Sequence, residues 1–272
     1  MSEAKRALVL CSNDDGVHAR GLEAAARALS AFADVVVVAP ETEQSAMSHS
    51  LTLHRPLRLR RVAEGRWGVD GTPADCVYLA LHLEERDGVP KILPRRPDLV
   101  VSGVNRGINL GQDVFYSGTV AAAREGALRG VPAIAASCDL AKDALGNLTF
   151  DPEPAAALVA AIARAMLALP PREQGGQALL LNLNVPAGTP KGVRATTLGT
   201  RLWTEWVEQR VDPRGRSYYW IGGGSVSHAE RPGSDTEAHD EGLASLTVLQ
   251  LDLARRDGAA QQALDTMLAA LR

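Results

Sequence analysis

The sequence has few of the features that mark disulfide-rich or metal-cysteine proteins. Only three of its 272 residues are cysteines, and only 4% of all residues are aromatic. The three are Cys11, Cys76 and Cys138, each among apolar neighbours and none in a Cys-x-x-Cys pair. An odd number of isolated cysteines argues against a disulfide framework or a cysteine-ligated zinc site, and it favours a reducing compartment.

Long apolar runs and a basic charge excess are also missing. No run approaches the ~18 apolar residues of a membrane-spanning helix, and the apolar run that ends at Cys11 is too short for a signal peptide. Lys and Arg number 29 against 32 Asp and Glu, a net charge of −3. Nucleic-acid-binding proteins usually show a basic excess. We therefore expect a cytoplasmic protein whose main partner is neither nucleic acid nor membrane.

Several motifs that identify common enzymes do not occur in the chain. There is no Walker A loop, no Gly-x-Gly-x-x-Gly fingerprint and no Gly-x-Ser-x-Gly nucleophile turn. The six histidines show no His-x-His or His-x-x-x-His spacing, so a histidine-rich zinc centre is not indicated.

The first two thirds of the chain alternate short apolar runs with helical patterns. Such alternation predicts an α/β fold with a mostly parallel sheet. The predicted strands are Ala7–Cys11, Val35–Val38, Leu99–Val101, Ala133–Ala136 and Leu179–Leu181. Thr72-Pro73-Ala74-Asp75 predicts a helix that begins with a capping box.

The pattern changes after Pro190. Thr196–Trp206 and Ser217–Ile221 are predicted strands on either side of a polar turn, and Gln261–Leu271 is a predicted terminal helix. Three of the four tryptophans lie in this stretch. A β-rich appendage with exposed aromatic residues would suit oligomerisation, and the alternative is a plain extra hairpin.

Two adjacent carboxylates, Asp14 and Asp15, follow the first predicted strand. Charges at the end of a buried strand are costly unless they bind something positive, and Gly16 allows both side chains to turn toward one ion. Carboxylate oxygens suit hard divalent cations such as Mg²⁺ or Mn²⁺. The alternative is that one of the pair caps the next helix.

Three further polar segments follow predicted strands or begin a helix. Ser102–Gly111 is a glycine-rich loop, Tyr116–Thr119 begins a helix whose free N–H groups could bind an anion, and Ala39–Ser45 starts a polar stretch. Each has a plain alternative: a flexible loop, an ordinary helix cap or a loop serine.

The expected sheet topology brings these segments together. In the strand order 3-2-1-4-5 the first and fourth strands flank the point where the order reverses, and ligands bind there. Asp14 and Asp15 follow the first strand and Asn105 follows the fourth. Acidic ligands, an amide and a helix N-terminus in one crevice suit a metal-assisted phosphoryl site.

Five motifs in order resemble those of the SurE family, the stationary-phase survival proteins, which are metal-dependent 5′-nucleotidases. They are Asn13–Gly16, Ala39-Pro40 with Glu43-Gln44-Ser45, Gly71–Val77, Pro97–Gly107 and Tyr116–Val120. Gly233–Ala238 extends the resemblance toward the C-terminus.

The resemblance implies a Rossmann-like three-layer core over residues 1–190. It implies that residues 191–272 form a β-rich appendage swapped between subunits of a homodimer or homotetramer. It also implies one divalent metal ion per subunit, Mg²⁺ or Mn²⁺, held by Asp14, Asp15, Ser45 and Asn105. The family usually has Gly where this chain has Ala46, which alters the loop backbone but leaves the ligand in place.

The resulting hypothesis is a phosphohydrolase that acts on nucleoside 5′-monophosphates. Asp14, Asp15 and Asn105 would be catalytic. Six residues would hold the substrate phosphate: Asn13, Ser102, Gly103, Ser117, Gly118 and Thr119. At Gly118, any side chain is expected to obstruct the approach of the phosphate.

Two other hypotheses compete with hydrolysis. A nucleotide sensor without turnover is disfavoured by the intact Asp pair, and a metal-dependent nuclease by the charge of −3. The sequence leaves open the preferred base, activity on 3′-nucleotides or short polyphosphate, the metal used in the cell, the general acid, and whether water or a carboxylate attacks phosphorus.

Overall fold

A computed structural model describes residues 6–84, 91–170, 178–203, 207–221, 226–254 and 257–271. The described strands are β1 (Ala7–Ser12), β2 (Ala33–Pro40), β3 (Leu59–Ala63), β4 (Arg66–Val69), β5 (Leu99–Arg106), β6 (Ala133–Cys138), β7 (Ala141–Lys142), β8 (Leu148–Thr149), β9 (Leu180–Val185), β10 (Val193–Thr196), β11 (Arg201–Trp203), β12 (Val207–Val211), β13 (Ser217–Ile221), β14 (Val226–His228) and β15 (Ala244–Leu249). The described helices are α1 (Arg20–Ser30), α2 (Pro73–His82), α3 (Gly118–Leu128), α4 (Glu153–Leu167), α5 (Asp235–Asp240) and α6 (Gly258–Ala269), with a 3₁₀ turn at Gly111–Phe115.

Within the described residues, the main sheet has nine strands in the order β10-β15-β9-β6-β5-β1-β2-β4-β3. Six neighbouring strands of this sheet run parallel to one another, namely β9, β6, β5, β1, β2 and β4. Numbered along the chain, these six have the spatial order 3-2-1-4-5-6, the doubly wound arrangement. The predicted mostly parallel α/β sheet is confirmed, and β1 lies beside β5 as the expected topology requires.

Helices cover both faces of this sheet, which makes three layers. Val9 and Cys11 of β1 belong to the core on the α1 and α4 side. Leu8 and Leu10 belong to the core on the α2 and α3 side. Successive side chains of a strand point to opposite faces, and here both faces are buried. That burial explains why β1 is an unbroken apolar run rather than an alternating one.

The predicted capping box begins α2. The Oγ1 atom of Thr72 accepts the N–H of Asp75 at 3.1 Å, and a carboxylate oxygen of Asp75 accepts the N–H of Thr72 at 2.9 Å. The same carboxylate also accepts the N–H and hydroxyl of Thr52, at 2.9 and 2.6 Å. The cap therefore also holds the chain segment that passes over this helix.

Strands that follow Pro190 lie both inside and outside the main sheet. β15 pairs antiparallel with β9, and β10 pairs parallel with β15, so both extend the sheet. β12 and β13 form a separate hairpin. The strand opposite Ser217–Ile221 is thus Val207–Val211 and not the predicted Thr196–Trp206, whose residues 204–206 lie outside the described residues. A run of residues with high β-propensity predicts that strands occur, but it does not show where one strand ends and the next begins. The division into 1–190 and 191–272 stays a prediction.

Within the described ranges, no helix is long and apolar enough to cross a membrane.

Two helical glycines give a test of how tightly α1 packs on β5. A Cβ atom at Gly21 in α1 would lie 1.8 Å from the carbonyl oxygen of Val104, whereas one at Gly258 in α6 would meet nothing within 4 Å. We expect Gly21→Ala to lower the free energy of unfolding by about 3 kcal/mol, the upper part of the usual overpacking range. Gly258→Ala should change it by less than about 1 kcal/mol. Urea unfolding of both variants measures this, and equal stabilities would contradict the packing described.

Candidate active site

A cavity of about 510 Å³ opens at the carboxyl ends of β1, β2 and β5. Asp14, Asp15, Ser45 and Asn105 all line it, together with Ser117 at the start of α3. These residues come from four separate chain segments. The parallel sheet brings the segments together because the carboxyl ends of its strands lie at one edge.

Asp14 is the most buried acid of the cavity wall, with 5% of its surface exposed. Thr119 donates its N–H to Oδ2 at 3.0 Å and its hydroxyl to Oδ1. Burial raises the pKa of Asp14 to about 6; the Thr119 hydroxyl opposes this rise and the charge of Asp15 adds to it. The carboxylate is therefore well held but lacks a positive partner among the groups that shift its pKa.

Asp15 is half-buried next to it. Its Oδ2 accepts the N–H of Arg106 at 3.1 Å. Burial is the main cause that raises the pKa of Asp15, the Arg106 N–H lowers it, and the charge of Glu43 raises it. Two adjacent carboxylates with raised pKa values mark a site of surplus negative charge, where a bound cation would be stabilising.

A bulge in β5 brings Asn105 to the cavity. The register between β5 and β6 shifts between Ser102 and Asn105, and bulges of this kind re-aim side chains beside functional sites. The Asn105 amide nitrogen donates to the carbonyl oxygen of Gly107 at 2.8 Å. Its amide oxygen is then the atom that can bind a cation.

The loop after β2 carries Ser45. Its hydroxyl donates to Oε1 of Glu43 at 2.6 Å, and the N–H of Gln44 donates to the carbonyl oxygen of Asp14 at 2.7 Å. The second bond ties the loop to the strand end that bears the Asp pair. Ala46 has a φ of 57°, a left-handed conformation that glycine adopts more easily.

The start of α3 does not present all its donors to the cavity. Ser117 caps the helix by accepting the N–H of Val120 at 3.1 Å. Both donors of Thr119 go to Asp14 and so hold a carboxylate of the site, and phosphate binding by Ser117, Gly118 and Thr119 stays a prediction. A Cβ at Gly118 would lie 2.8 Å from Cβ of Asp14. The missing side chain thus makes room for Asp14, which the sequence-based view of Gly118 did not anticipate.

Three other predicted phosphate ligands lie behind the described cavity wall. Asn13 is fully buried, and its amide bonds both the carbonyl oxygen and the N–H of Gly16, at 3.0 and 3.2 Å. Ser102 is fully buried, and its hydroxyl has no partner in the described structure. Gly103 has a φ of +119°, and a Cβ there would lie 2.1 Å from the carbonyl oxygen of Ala136. Phosphate binding by these residues stays a prediction.

The cavity wall also contains two charged residues that the sequence did not single out, Asp113 and Arg201. Arg201 of β11 forms an ion pair with Asp113, and its N–H donates to Gln112 at 3.0 Å. Arg106 and Tyr116 complete this part of the wall. Asp113 and Arg201 are 88 residues apart in the chain, so no local pattern could have linked them.

The donors of the site fit a hard divalent cation. Two carboxylates, a hydroxyl and an amide oxygen are the ligand types that Mg²⁺ and Mn²⁺ prefer. No group of three or more His, Cys, Asp or Glu side chains in the described ranges could hold a metal ion. A metal at this cavity would therefore depend on Ser45 and Asn105 as well as on the Asp pair.

The chain is similar to known proteins in both sequence and structure. The family model described as Survival protein SurE matches residues 9–205. A 5′-nucleotidase SurE of Sorangium cellulosum is 56% identical over 257 residues, which cover 94% of this chain and 95% of that protein. One of Deinococcus radiodurans is 45% identical over 265 residues, covering 94% and 91%. The crystal structure of the SurE protein from Aquifex aeolicus aligns with a TM-score of 0.77 at 34% identity, covering 95% of this chain and 99% of that one.

The Thr119 hydroxyl gives the most direct test of how Asp14 is held. Thr119→Val keeps the shape but leaves Oδ1 of Asp14 without its hydroxyl donor. Because partners that orient metal ligands typically contribute 10–100-fold in affinity, we expect Mn²⁺ to bind about 10-fold more weakly in calorimetric titration. Thr119→Ser retains the hydroxyl and should bind Mn²⁺ like the wild type. Unchanged affinity in the Val variant would mean that the hydroxyl does not support a metal ligand.

Proposed function

This chain belongs to the SurE family and is a 5′-nucleotidase, and we propose that the cavity at the carboxyl ends of β1, β2 and β5 is its active site. The observation that carries the proposal is the meeting of Asp14, Asp15, Ser45 and Asn105 in one cavity, beside the start of α3. The substrate is a nucleoside 5′-monophosphate, and the product is a nucleoside and inorganic phosphate.

The enzyme is a metal-dependent phosphatase, and we assign it one Mg²⁺ or Mn²⁺ per subunit. Asp14, Asp15, Ser45 and Asn105 would hold the ion. A divalent cation supplies charge neutralisation at the phosphoryl group and lowers the pKa of water. The raised pKa values of Asp14 and Asp15 support this assignment, since a nearby positive charge would favour both ionised forms.

The protein groups around the ion would bind and orient the phosphate. Helix α3 begins at the cavity, where Ser117 is its N-cap, and its N-terminus carries about half a positive charge. The hydroxyl of Ser117 and the N–H of Gly118 are the donors there that we assign to phosphate oxygens. Neutral, fixed donors need no reorganisation when charge builds up on the phosphoryl group. Thr119 acts through Asp14, which it holds in place.

Behind the cavity wall, the other predicted phosphate ligands would act indirectly. The Asn13 amide fixes the turn that presents Asp14 and Asp15, through its two bonds to Gly16. Ser102 and Gly103 form the part of β5 from which Asn105 emerges. We propose that these three residues shape the site and that Asp14, Asp15 and Asn105 take part in the reaction.

The exposed apolar side chains of the β12–β13 hairpin are the observation that favours a homo-oligomer. Cross-strand pairing places Val207 opposite Ile221 and Gln209 opposite Tyr219, so the side chains of these residues share one face with Val211. Val207, Val211, Tyr219 and Ile221 are 58–90% exposed. An exposed apolar patch of this kind marks an association surface. We propose a dimer or tetramer in which residues 191–272 supply the contacts, with part of that segment exchanged between subunits.

We place the enzyme in the cytoplasm. All three cysteines are free and buried in the described structure, which fits a reducing compartment.

Removal of one carboxylate tests the active site. Asp14→Asn keeps the shape of the side chain and removes its charge, so phosphate release from nucleoside 5′-monophosphates with Mn²⁺ should fall at least ~10–100-fold. EDTA should stop the wild-type reaction. Asp265→Asn, an exposed change on α6, is the matched control and should leave turnover unchanged. Near-normal turnover of the Asp14→Asn variant at limiting metal would show that Asp14 is not a metal ligand of the active site.

Light scattering tests the proposed association surface. We expect the wild type to have the mass of a dimer or tetramer and Ile221→Ser to shift it toward smaller species, because this side chain is 90% exposed on the apolar face. Leu145→Ser, which removes an apolar side chain of similar exposure (87%) outside residues 191–272, serves as the control. A wild type that is strictly monomeric, or equal masses in all three proteins, would count against this surface.

A further inference from the structure

The segment that carries Ser45 has an unfavourable backbone conformation. Residues 44–52, all of them described, form neither helix nor strand. Ala46 has a φ of 57° and Ser48 a φ of 53°, and left-handed values are costly for residues that have a Cβ atom. Such conformations persist only where surrounding contacts determine them. The contacts of this segment, called here the Ser45 segment, therefore control where the Ser45 hydroxyl lies.

Hydrogen bonds along the Ser45 segment join it to the turn after β1, to the chain just before α3 and to α2. The N–H of Gln44 donates to the carbonyl oxygen of Asp14 at 2.7 Å. Ser48 donates its N–H to Tyr116 at 2.9 Å and its hydroxyl to Phe115 at 2.6 Å. Thr52 is held by the Asp75 carboxylate. The side chain of His49 contacts a second buried acidic residue, which lies in α3.

That charged group is the carboxylate of Glu125 in α3. Glu125 is 1% exposed, and a buried carboxylate needs hydrogen-bonded partners. His49 Nε2 lies 2.8 Å from Oε2, and Arg129 Nε lies 2.7 Å from Oε1. Burial alone would raise the pKa of Glu125, but the bonds from His49 and Arg129 hold it below its usual value. The two partners thus share one ionised carboxylate.

The position of Glu125 in α3 connects this ion pair to the metal site. The same helix starts at the cavity, where Thr119 holds Asp14. Glu125 lies less than two turns farther along the helix and holds the Ser45 segment through His49. One rigid helix therefore fixes both Asp14 and the segment that bears Ser45, two of the four proposed metal ligands.

We propose that His49 is a positioning residue which, through Glu125, sets the distance between Ser45 and the Asp14 carboxylate for metal binding. The inference rests on the proposed function, because Ser45 and Asp14 are assigned there as ligands. His49 itself does not line the described wall of the cavity and has no direct part in the reaction.

Arg129 offers a matched control, since it bonds the other oxygen of the same carboxylate. It lies at the far end of α3, with its guanidinium 5.0 Å from the centre of the Tyr78 ring. Loss of either partner should destabilise the protein, because Glu125 stays buried with one bond fewer. Only the loss of His49 should release the Ser45 segment.

The experiment is calorimetric titration of Mn²⁺ into the full-length protein without substrate, at one fixed pH. We expect His49→Ala to bind Mn²⁺ about 10-fold more weakly than the wild type. His49→Gln can still donate an N–H to Glu125 and should restore the affinity. Arg129→Ala should lower the melting temperature but leave Mn²⁺ affinity unchanged. His49→Asn, whose amide is too short to reach Glu125, replaces the alanine variant if that one does not fold.

Three results would overturn the proposal. They are wild-type affinity in the His49→Ala or His49→Asn variant, equal weakening in Arg129→Ala, and no recovery in His49→Gln. A wild type that binds no Mn²⁺ would instead overturn the proposed function, and the inference with it. If Asp14→Asn loses strong Mn²⁺ binding but the His49 variants retain it, the proposed metal site is supported and only the positioning role of His49 is overturned.

Discussion

Burial of the Asp14 carboxylate is the constraint around which the neighbouring structure is arranged. A negative charge at the end of a fully buried strand is costly, and its pKa of about 6 records that cost. Thr119 supplies two hydrogen bonds, and Gly118 leaves room for the Asp14 side chain beside α3. The remaining cost is an unneutralised charge next to Asp15. The buried Asp14 carboxylate has no protein cation among the groups that shift its pKa, so a cation from solution would stabilise its ionised form.

The strand order explains why the other oxygen donors meet this charge. β1 lies between β2 and β5, and the loops after these strands carry Ser45 and Asn105. The chain leaves β1 toward α1 and β5 toward α3, on opposite faces of the sheet, which opens a crevice between these two strands. Helix α3 then enters the crevice with its N-terminus first, and its positive end faces the acids. The topology thus places an acidic cluster and the N-terminus of a helix at one cavity.

Much of this arrangement was predictable from local patterns. Unbroken apolar runs indicated strands buried on both faces, and Asp14 and Asp15 directly after such a run indicated a charged site at a strand end. The capping box at Thr72 and Asp75 is a four-residue pattern and was predictable for the same reason. The pairing of Arg201 with Asp113 and the contact of His49 with Glu125 were not, because they join residues 88 and 76 positions apart. Strand breaks after Thr196 were missed because propensity changes little across them.

The glycines of the site show where a sequence pattern is ambiguous in principle. A glycine in a binding loop predicts that some atom comes close, but it does not say whether that atom belongs to a ligand or to the protein. A Cβ at Gly118 would meet Asp14, and one at Gly103 would meet the carbonyl oxygen of Ala136. In both places the close atom is the protein's own. Gly118 lets the Asp14 side chain sit against α3, and Gly103 lets β5 bulge so that Asn105 reaches the cavity.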